Sequence, residues 1–235
     1  MNPGACRGAA LVIGARGFLG GYIAARLRER GCRVLIGVRD PDSDASEERC
    51  CDLATMTDPE HWRDTLRGVD AVVNAAGILR ETGARTFEAV HVRGPMALAR
   101  ACVDQGVRRF VQISALGDPQ DGGFIASKHR FDTALLALPL NAVVLRPSIV
   151  YATQGSYGGS SLLRALAALP FGVWLPGDGT WLLQPLAARD LAELVARAIE
   201  SGVGGTFEVG GRRRFRCASI SSSGDSGFAS RARGV

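Results

Sequence analysis

Along this chain, short and almost wholly apolar runs alternate with longer stretches whose apolar residues recur every three to four positions. Ala9-Ala10-Leu11-Val12-Ile13 is the first apolar run, and a helical pattern follows from Phe18 to about Arg30, with Gly31 placed to end it. Arg33 to Val38 predicts a second strand, Asp40 to Glu48 an acidic, solvated loop, and a further short strand ends at Asp52-Leu53. A helix from about Pro59 to Leu66 and a strand Ala71 to Asn74 come next. Phe87, Val90, Gly94, Ala97, Leu98 and Ala101 then line one face of a long helix reaching Gln105. The strand Arg109 to Ser114, a helix from Phe124 to Leu138 and the strand Ala142 to Leu145 complete the regular alternation. Such β-α-β repetition predicts an α/β fold, a doubly wound parallel sheet with right-handed crossovers.

Beyond Pro147 the rhythm loosens into a helical Ser161 to Leu169, loops rich in Pro and Gly, a helix Ala188 to Glu200 and a strand Thr206 to Val209. The expected division is a dinucleotide-binding domain over 1–150 and a small C-terminal, substrate-side lobe over 151–210. From Gly211 the chain turns to Arg, Ser and Gly with few apolar residues, so 211–235 is expected to be disordered.

The first strand and first helix are joined by Gly14-Ala15-Arg16-Gly17-Phe18-Leu19-Gly20. In that setting the three glycines do different things. Gly14 turns the chain sharply, Gly17 admits backbone N–H groups to a pyrophosphate, and Gly20 brings helix against strand. Phosphates would then meet the positive end of the helix, with Phe18 and Leu19 in its first turn. In a chain with 30 glycines the spacing alone says little; the strand before it and the helix after it make it a dinucleotide-binding signature. Cofactor choice is read at the end of the second strand. Proteins selective for NAD(H) place an acid there, about 20 residues after the turn, to hold the ribose 2′-hydroxyl. This chain has Arg39 followed by Asp40, and Arg16 inside the turn offers a second guanidinium fork for a 2′-phosphate. NADP(H) is therefore expected in preference to NAD(H); in the competing reading both arginines are solvated and Asp40 takes the ribose.

Composition narrows the rest. The net charge of +5 could suggest nucleic acid, but six arginines against Asp225 alone follow Gly211, and the body is balanced, so no nucleic-acid partner is expected. No apolar run approaches the roughly 20 residues of a membrane span, and a first strand by Ala9 leaves no room for a signal peptide, which points to the cytoplasm. Cys6, Cys32, Cys50, Cys51, Cys102 and Cys217 form no C-x-x-C pair and are read as reduced thiols, and no metal site is expected. Lys128 is the only lysine beside 27 arginines. Where every other cation has become a planar fork, a retained compact ammonium marks a function that arginine cannot supply.

The sequence of motifs, Gly14 to Gly20, Asp52-Leu53, Asn74-Ala75-Ala76-Gly77, Ile113-Ser114-Ala115-Leu116-Gly117, Ser127-Lys128 and Leu145-Arg146-Pro147-Ser148-Ile149-Val150-Tyr151, resembles the short-chain dehydrogenase/reductase superfamily. The likeness covers about Ala9 to Gly211 and lies in the atypical and extended branch, near the NAD-dependent epimerase/dehydratases. Within it the chain looks most like bacterial relatives of the NADPH-binding accessory subunit of respiratory complex I, through Gly77-Ile78-Leu79-Arg80-Glu81-Thr82-Gly83 and Phe87-Glu88-Ala89-Val90-His91-Val92-Arg93-Gly94. The resemblance implies a Rossmann-like sheet with Asp52 and Leu53 flanking adenine. It puts Ala75, Ala76 and Gly77 on the ribose and nicotinamide path, Ser114 and Lys128 facing the nicotinamide as the catalytic pair, and Pro147 beside the cofactor. His91, where relatives carry Asn or His, reads as a packed core histidine.

Two departures matter. The family's reacting group is a tyrosine four residues before the lysine, and here that residue is Phe124, which has no proton to exchange. After Phe207-Glu208-Val209-Gly210-Gly211, relatives continue with a proline turn and helices, whereas this chain enters its Arg- and Ser-rich stretch, as a truncation or shifted reading frame would. The leading expectation is an NADP-dependent oxidoreductase or epimerase-like enzyme acting on an unknown small molecule, with Ser114, a water or another residue supplying the proton. The alternative is a non-catalytic NADPH-binding module that senses redox state or stabilises a partner complex; a homo-oligomer is also open.

Overall fold

The computed structural model describes residues 8–152 and 182–216. Seven parallel strands form one sheet: β1 (Ala9–Ile13), β2 (Arg33–Val38), β3 (Glu48–Cys50), β4 (Ala71–Asn74), β5 (Arg109–Ile113), β6 (Ala142–Pro147) and, near the end of the described chain, β10 (Gly205–Val209). Their order is β10-β6-β5-β4-β1-β2-β3, so β1 is central and the chain reverses its direction of travel between β1 and β4. Open α/β sheets bind ligands at that reversal, beyond the carboxyl ends of the strands. All five residues of β1 and of β5 are buried, because helices cover both faces of the sheet; β1 is wholly apolar, while in β5 the buried Arg109 and Gln112 are accommodated by hydrogen bonds to Asn141 and Asn74.

Two buried clusters lie on the two faces. One packs α2 (Gly94–Asp104) and α3 (Gly123–Leu136) around Trp62, Leu98, Phe110 and Phe131. The other packs α1 (Phe18–Glu29) and α4 (Ala188–Glu200) through Ile23, Leu27, Leu191 and Val195. Across the α1–α4 seam, Arg26 and Arg30 reach Glu193, at 2.8 and 2.7 Å. Those pairs are half exposed and add little beyond the apolar contact beneath them.

Several elements differ from the expected ones, each for a local reason. The third strand ends at Cys50 rather than at Asp52-Leu53, because Asp52 Oδ1 accepts the N–H of Ala54 at 3.1 Å and turns the chain out of the ladder. The expected helix at 59–66 is a 3-10 turn, Pro59–Trp62, capped by Asp58, with the buried Trp62 indole donating to the carbonyl of Met56 at 2.9 Å. The long helix begins as a π-helical turn, Glu88–Arg93, before α2. Pro95 lacks the N–H that would bond the His91 carbonyl, so the turn widens there.

The expected boundary at residue 150 does not separate the layers. α4 crosses back over the sheet and β10 pairs in parallel with β6, from Gly205 beside Val143 to Val209 beside Pro147, so Ala188–Val209 belongs to the main sheet. What lies apart from that sheet among the described residues is small: β7 (Val150–Tyr151) with β9 (Leu186–Ala187), and β8 (Leu182–Leu183) with β11 (Phe215–Arg216). Order also continues past Gly211. The Gly211 N–H donates to the Gln184 carbonyl at 3.2 Å and Phe215-Arg216 pairs antiparallel with β8, main-chain bonding that needs no apolar side chains. The expected helix Ser161 to Leu169, Cys6 and the stretch from Cys217 lie outside the described residues. Cys32, Cys50, Cys51 and Cys102 are not in disulfides. Among the described residues no helix is long and apolar enough to cross a membrane.

Candidate functional site

The glycine turn opens the site. Gly14 holds φ at 82°, Gly17 N–H closes the turn on the Gly14 carbonyl at 2.8 Å, and α1 starts immediately afterwards. A Cβ on Gly20 would lie 2.0 Å from the Gly14 oxygen and 2.8 Å from the Ala15 Cα, so only glycine permits this approach of helix to strand. Among the described residues no side chain caps the helix, and its first turn holds no acid, which leaves its first N–H groups free for an anion.

From the turn a cavity of ≈ 600 Å³ runs along the carboxyl edge of the sheet. It gathers nearly every residue expected at the site: Gly14, Arg16, Gly17, Phe18, Leu19 and Gly20 from the turn; Arg39 after β2; Asp52 and Leu53 after β3; Ala75, Ala76 and Gly77 after β4; and Ser114, Phe124 and Lys128 at the far end. Pro147 is not among them. It lines a second cavity of ≈ 460 Å³ with Ser148, Leu183 and Arg214, which meets the first at Phe124. Asp52 acts as the turn cap described above and also faces the cavity. Asn74 shapes the loop from beneath: buried, it donates to Gln112 Oε1 at 2.9 Å and accepts the Ala76 N–H at 3.3 Å.

At the far end, Lys128 is 5% exposed and its ammonium donates to the carbonyls of Ala76 at 3.0 Å and Ile113 at 3.3 Å. Burial pushes its pKa down to about 8, against the pull of nearby Asp132. Two of three N–H groups are thus occupied, and one remains for a ligand. The Ser114 hydroxyl donates to Asp132 Oδ2 at 2.7 Å, and the same oxygen receives Arg146 Nε at 3.0 Å and Nη2 at 2.9 Å. Burial raises the Asp132 pKa, while the bonds from Ser114 and Arg146 oppose the rise. Asp132 was missed in the sequence, although its place one helical turn after Lys128 on the same face could have drawn attention to it.

His91 ties these parts together. Its Nε2 accepts the Ile78 N–H at 3.0 Å, so the ring proton is on Nδ1, which donates to Ser127 Oγ at 2.9 Å. Ser127 in turn donates to the Phe124 carbonyl at 2.9 Å. The loop after β4 is thereby fastened to the helix that carries Phe124 and Lys128. The ring of Phe124 packs edge-on against His91 and Phe87, with centroids 5.5 and 6.2 Å away. Burial, with Lys128 nearby, lowers the His91 pKa to about 3. A histidine neutral in the fold and protonated below about 6.5 when unfolded stabilises fully above that pH; its contribution is lost as pH falls toward 3. Acid unfolding between pH 6 and 4 should therefore be steeper in the wild type than in His91→Gln, by up to about 1.4 kcal/mol per pH unit. Denaturant titrations of both proteins across that range check it, and parallel curves would refute it. Of the other histidines, His61 lies exposed in the 3-10 turn and His129 Nε2 is 2.9 Å from the Ala115 carbonyl. Among the described residues no three His, Cys, Asp or Glu side chains are grouped to hold a metal ion.

At the other end, Arg16 is ion-paired with Glu48, and Arg39 and Asp40 lie on the cavity wall beside it. Cys51 also faces the cavity, its thiol pushed far above the ordinary range by burial.

A bare glycine turn under a free helix end, a groove along the strand ends at the point of reversal and a buried lysine beside it define a dinucleotide-binding protein with a Rossmann-like sheet. Over residues 10–210 the chain matches the NAD dependent epimerase/dehydratase family, and it belongs to that family. It is 31% identical over 221 residues to the Arabidopsis thaliana protein named NADH dehydrogenase [ubiquinone] 1 alpha subcomplex subunit 9, mitochondrial, covering 86% of this chain and 53% of that one. The Mus musculus protein of the same name is 29% identical, with 88% of this chain and 57% of the other covered. The chain thus spans little more than half the length of these curated relatives. In three dimensions it is similar to UDP-N-acetylglucosamine 4-epimerase from Bacillus cereus, with a TM-score of 0.75 at 20% identity, over 94% of this chain and 82% of that one.

Proposed function

We propose that this protein is an NADP(H)-binding module in which bound dinucleotide organises the fold within a partner assembly and is not turned over. The carrying observation is that, among the described residues, the far end of the groove offers no free hydroxyl to act as proton donor. The phenyl ring of Phe124 takes the helix position one turn before Lys128, and the Ser114 hydroxyl is donated to Asp132. The curated relatives named as subunits of NADH dehydrogenase favour a partner complex.

The cradle fits a dinucleotide on geometry alone: a Cβ on Gly20 would fill the turn, and the cavity is long enough to line both the turn and Lys128. The free N–H groups of α1 would hold the pyrophosphate, Asp52 and Leu53 the adenine, and Lys128 the nicotinamide ribose. Arg39 and Arg16 support a 2′-phosphate over a hydroxyl. Bound NADPH carries a transferable hydride; in this reading the chain's own residues only hold it, while Ser114 stays bonded to Asp132 and Asp132 to Arg146.

Two measurements test this reading. Calorimetry should show NADP⁺ binding more tightly than NAD⁺, and equal or tighter NAD⁺ binding would overturn the preference. Purified protein should leave NADPH unoxidised in the presence of ketones, aldehydes and nucleotide sugars; robust turnover would instead favour a reductase in which Ser114, backed by Asp132, delivers the proton.

A further inference from the structure

We infer that Glu48 is the residue through which the groove distinguishes a ribose 2′-phosphate from a 2′-hydroxyl, by holding Arg16 in an ion pair that the phosphate must displace. The inference rests on the NADP(H) reading above and extends it to a residue that no dinucleotide motif contains.

Glu48 is the first residue of β3, and its charged side chain is only 10% exposed. Both carboxylate oxygens are engaged. Oε1 pairs with Arg16 Nη2 from the glycine turn, and Oε2 accepts the Asp42 N–H at 2.9 Å. The side chain therefore ties the glycine turn, whose Arg16 lines the cavity together with Arg39 and Asp40, to the acidic loop between β2 and β3. Arg16, by contrast, is 63% exposed, and its guanidinium is held by Glu48.

Arg16 thus has two possible anionic partners that cannot share it without cost. A phosphate brought to its guanidinium approaches the Glu48 carboxylate, and like charges at that range repel. A 2′-hydroxyl is neutral and leaves the pair in place. Two consequences follow. Glu48 weakens binding of the phosphorylated ribose relative to the unphosphorylated one. Occupation of the site by a 2′-phosphate moves Arg16 off Glu48 and unfastens the loop 40–47 from the turn, so the loop reports which dinucleotide is bound.

Calorimetry with NADP⁺, NAD⁺, 2′,5′-ADP and 5′-AMP, on wild type, Glu48→Gln, Arg16→Gln and the double variant, tests it. Glutamine keeps an oxygen for the Asp42 N–H and removes the charge. In Glu48→Gln the affinity for NADP⁺ and 2′,5′-ADP should rise about fivefold, with NAD⁺ and 5′-AMP changed by less than about twofold. The gain should vanish in the Arg16→Gln background. Amide exchange over 40–48 should quicken in wild type on adding NADP⁺ and not on adding NAD⁺, and should already be fast in Glu48→Gln. An unchanged affinity ratio in Glu48→Gln, or a gain that survives without Arg16, overturns the inference. A wild type that prefers NAD⁺ would overturn the cofactor preference proposed above; coupling between positions 16 and 48 toward 2′,5′-ADP would then still support the ion pair's role, and its absence would refute it.

Discussion

Phe124→Tyr is expected to create NADPH-dependent carbonyl reduction where the wild type has little or none, by about 10²- to 10⁴-fold on the best substrate of a panel of ketones, aldehydes and nucleotide sugars. Positions 124 and 128 are one helical turn apart on α3, and both side chains line the same end of the cavity. A phenol at 124 would share that wall with the Lys128 ammonium, whose charge favours the phenolate and so lowers the cost of giving up the proton. The ring already has its place against His91 and Phe87, so the added hydroxyl changes chemistry more than packing. Lys128→Ala serves as the contrast. It should weaken cofactor binding in either background, because the carbonyls of Ala76 and Ile113 lose their donor and the ribose contact proposed for the ammonium is removed. Cofactor affinity and NADPH oxidation measured separately on the wild type, each single variant and the pair decide the matter. A Phe124→Tyr protein that binds NADPH as before and still reduces nothing would show that the substrate side, not the proton donor, is what the groove lacks.

Gly20→Ala is expected to abolish dinucleotide binding, with affinity down at least about 100-fold, and to lower stability by about 1–3 kcal/mol. The new methyl would stand 2.0 Å from the Gly14 oxygen and 2.8 Å from the Ala15 Cα, and both are backbone atoms that no rotamer change can move. Relief requires α1 to shift off β1, which opens the turn and carries the helix N–H groups away from the pyrophosphate site. Gly21→Ala is the control. Its Cβ would come no closer than 3.5 Å, to the Ala15 oxygen, an ordinary contact, and alanine is the better helix former. Thermal melts with and without NADP⁺ read both effects. Ligand-induced stabilisation should disappear in Gly20→Ala and persist in Gly21→Ala; a Gly20→Ala protein still stabilised by NADP⁺ would refute the account.

How much of the fold and site is legible in the sequence depends on the range over which each feature is decided. The strands β1, β2, β4, β5 and β6 and the glycine turn are readable because a buried parallel strand is a short, mostly apolar run and a turn that a helix approaches closely must lack side chains at the point of contact. Both are demands that a few adjacent residues meet by themselves. The residues that would hold the dinucleotide follow from where the strands end. What one segment does to another is not written locally. Nothing in Thr206 to Val209 shows that this strand completes the main sheet beside β6; that depends on α4 finding its apolar partner, α1, on the same face. The pairing of Phe215-Arg216 with β8 is made of main-chain bonds that any residues could form, so an Arg-rich run conceals it. Ser114 and Lys128 are visible as motif residues, but whether a hydroxyl is free to react is settled by what lies opposite. Asp132 lies 18 residues from Ser114, on a helix, and Arg146 a further 14 along, on a strand; Asp132 accepts the serine's hydrogen bond and Arg146 pairs with the aspartate. In the same way Arg16 can be read as a phosphate ligand from its place in the turn, while only the folded chain brings Glu48 to it across 32 residues. Residue type and spacing determine which groups a segment offers. Burial and long-range pairing determine which of those groups remain available, since a hydrogen bond or an ion pair formed with one partner is withheld from the next.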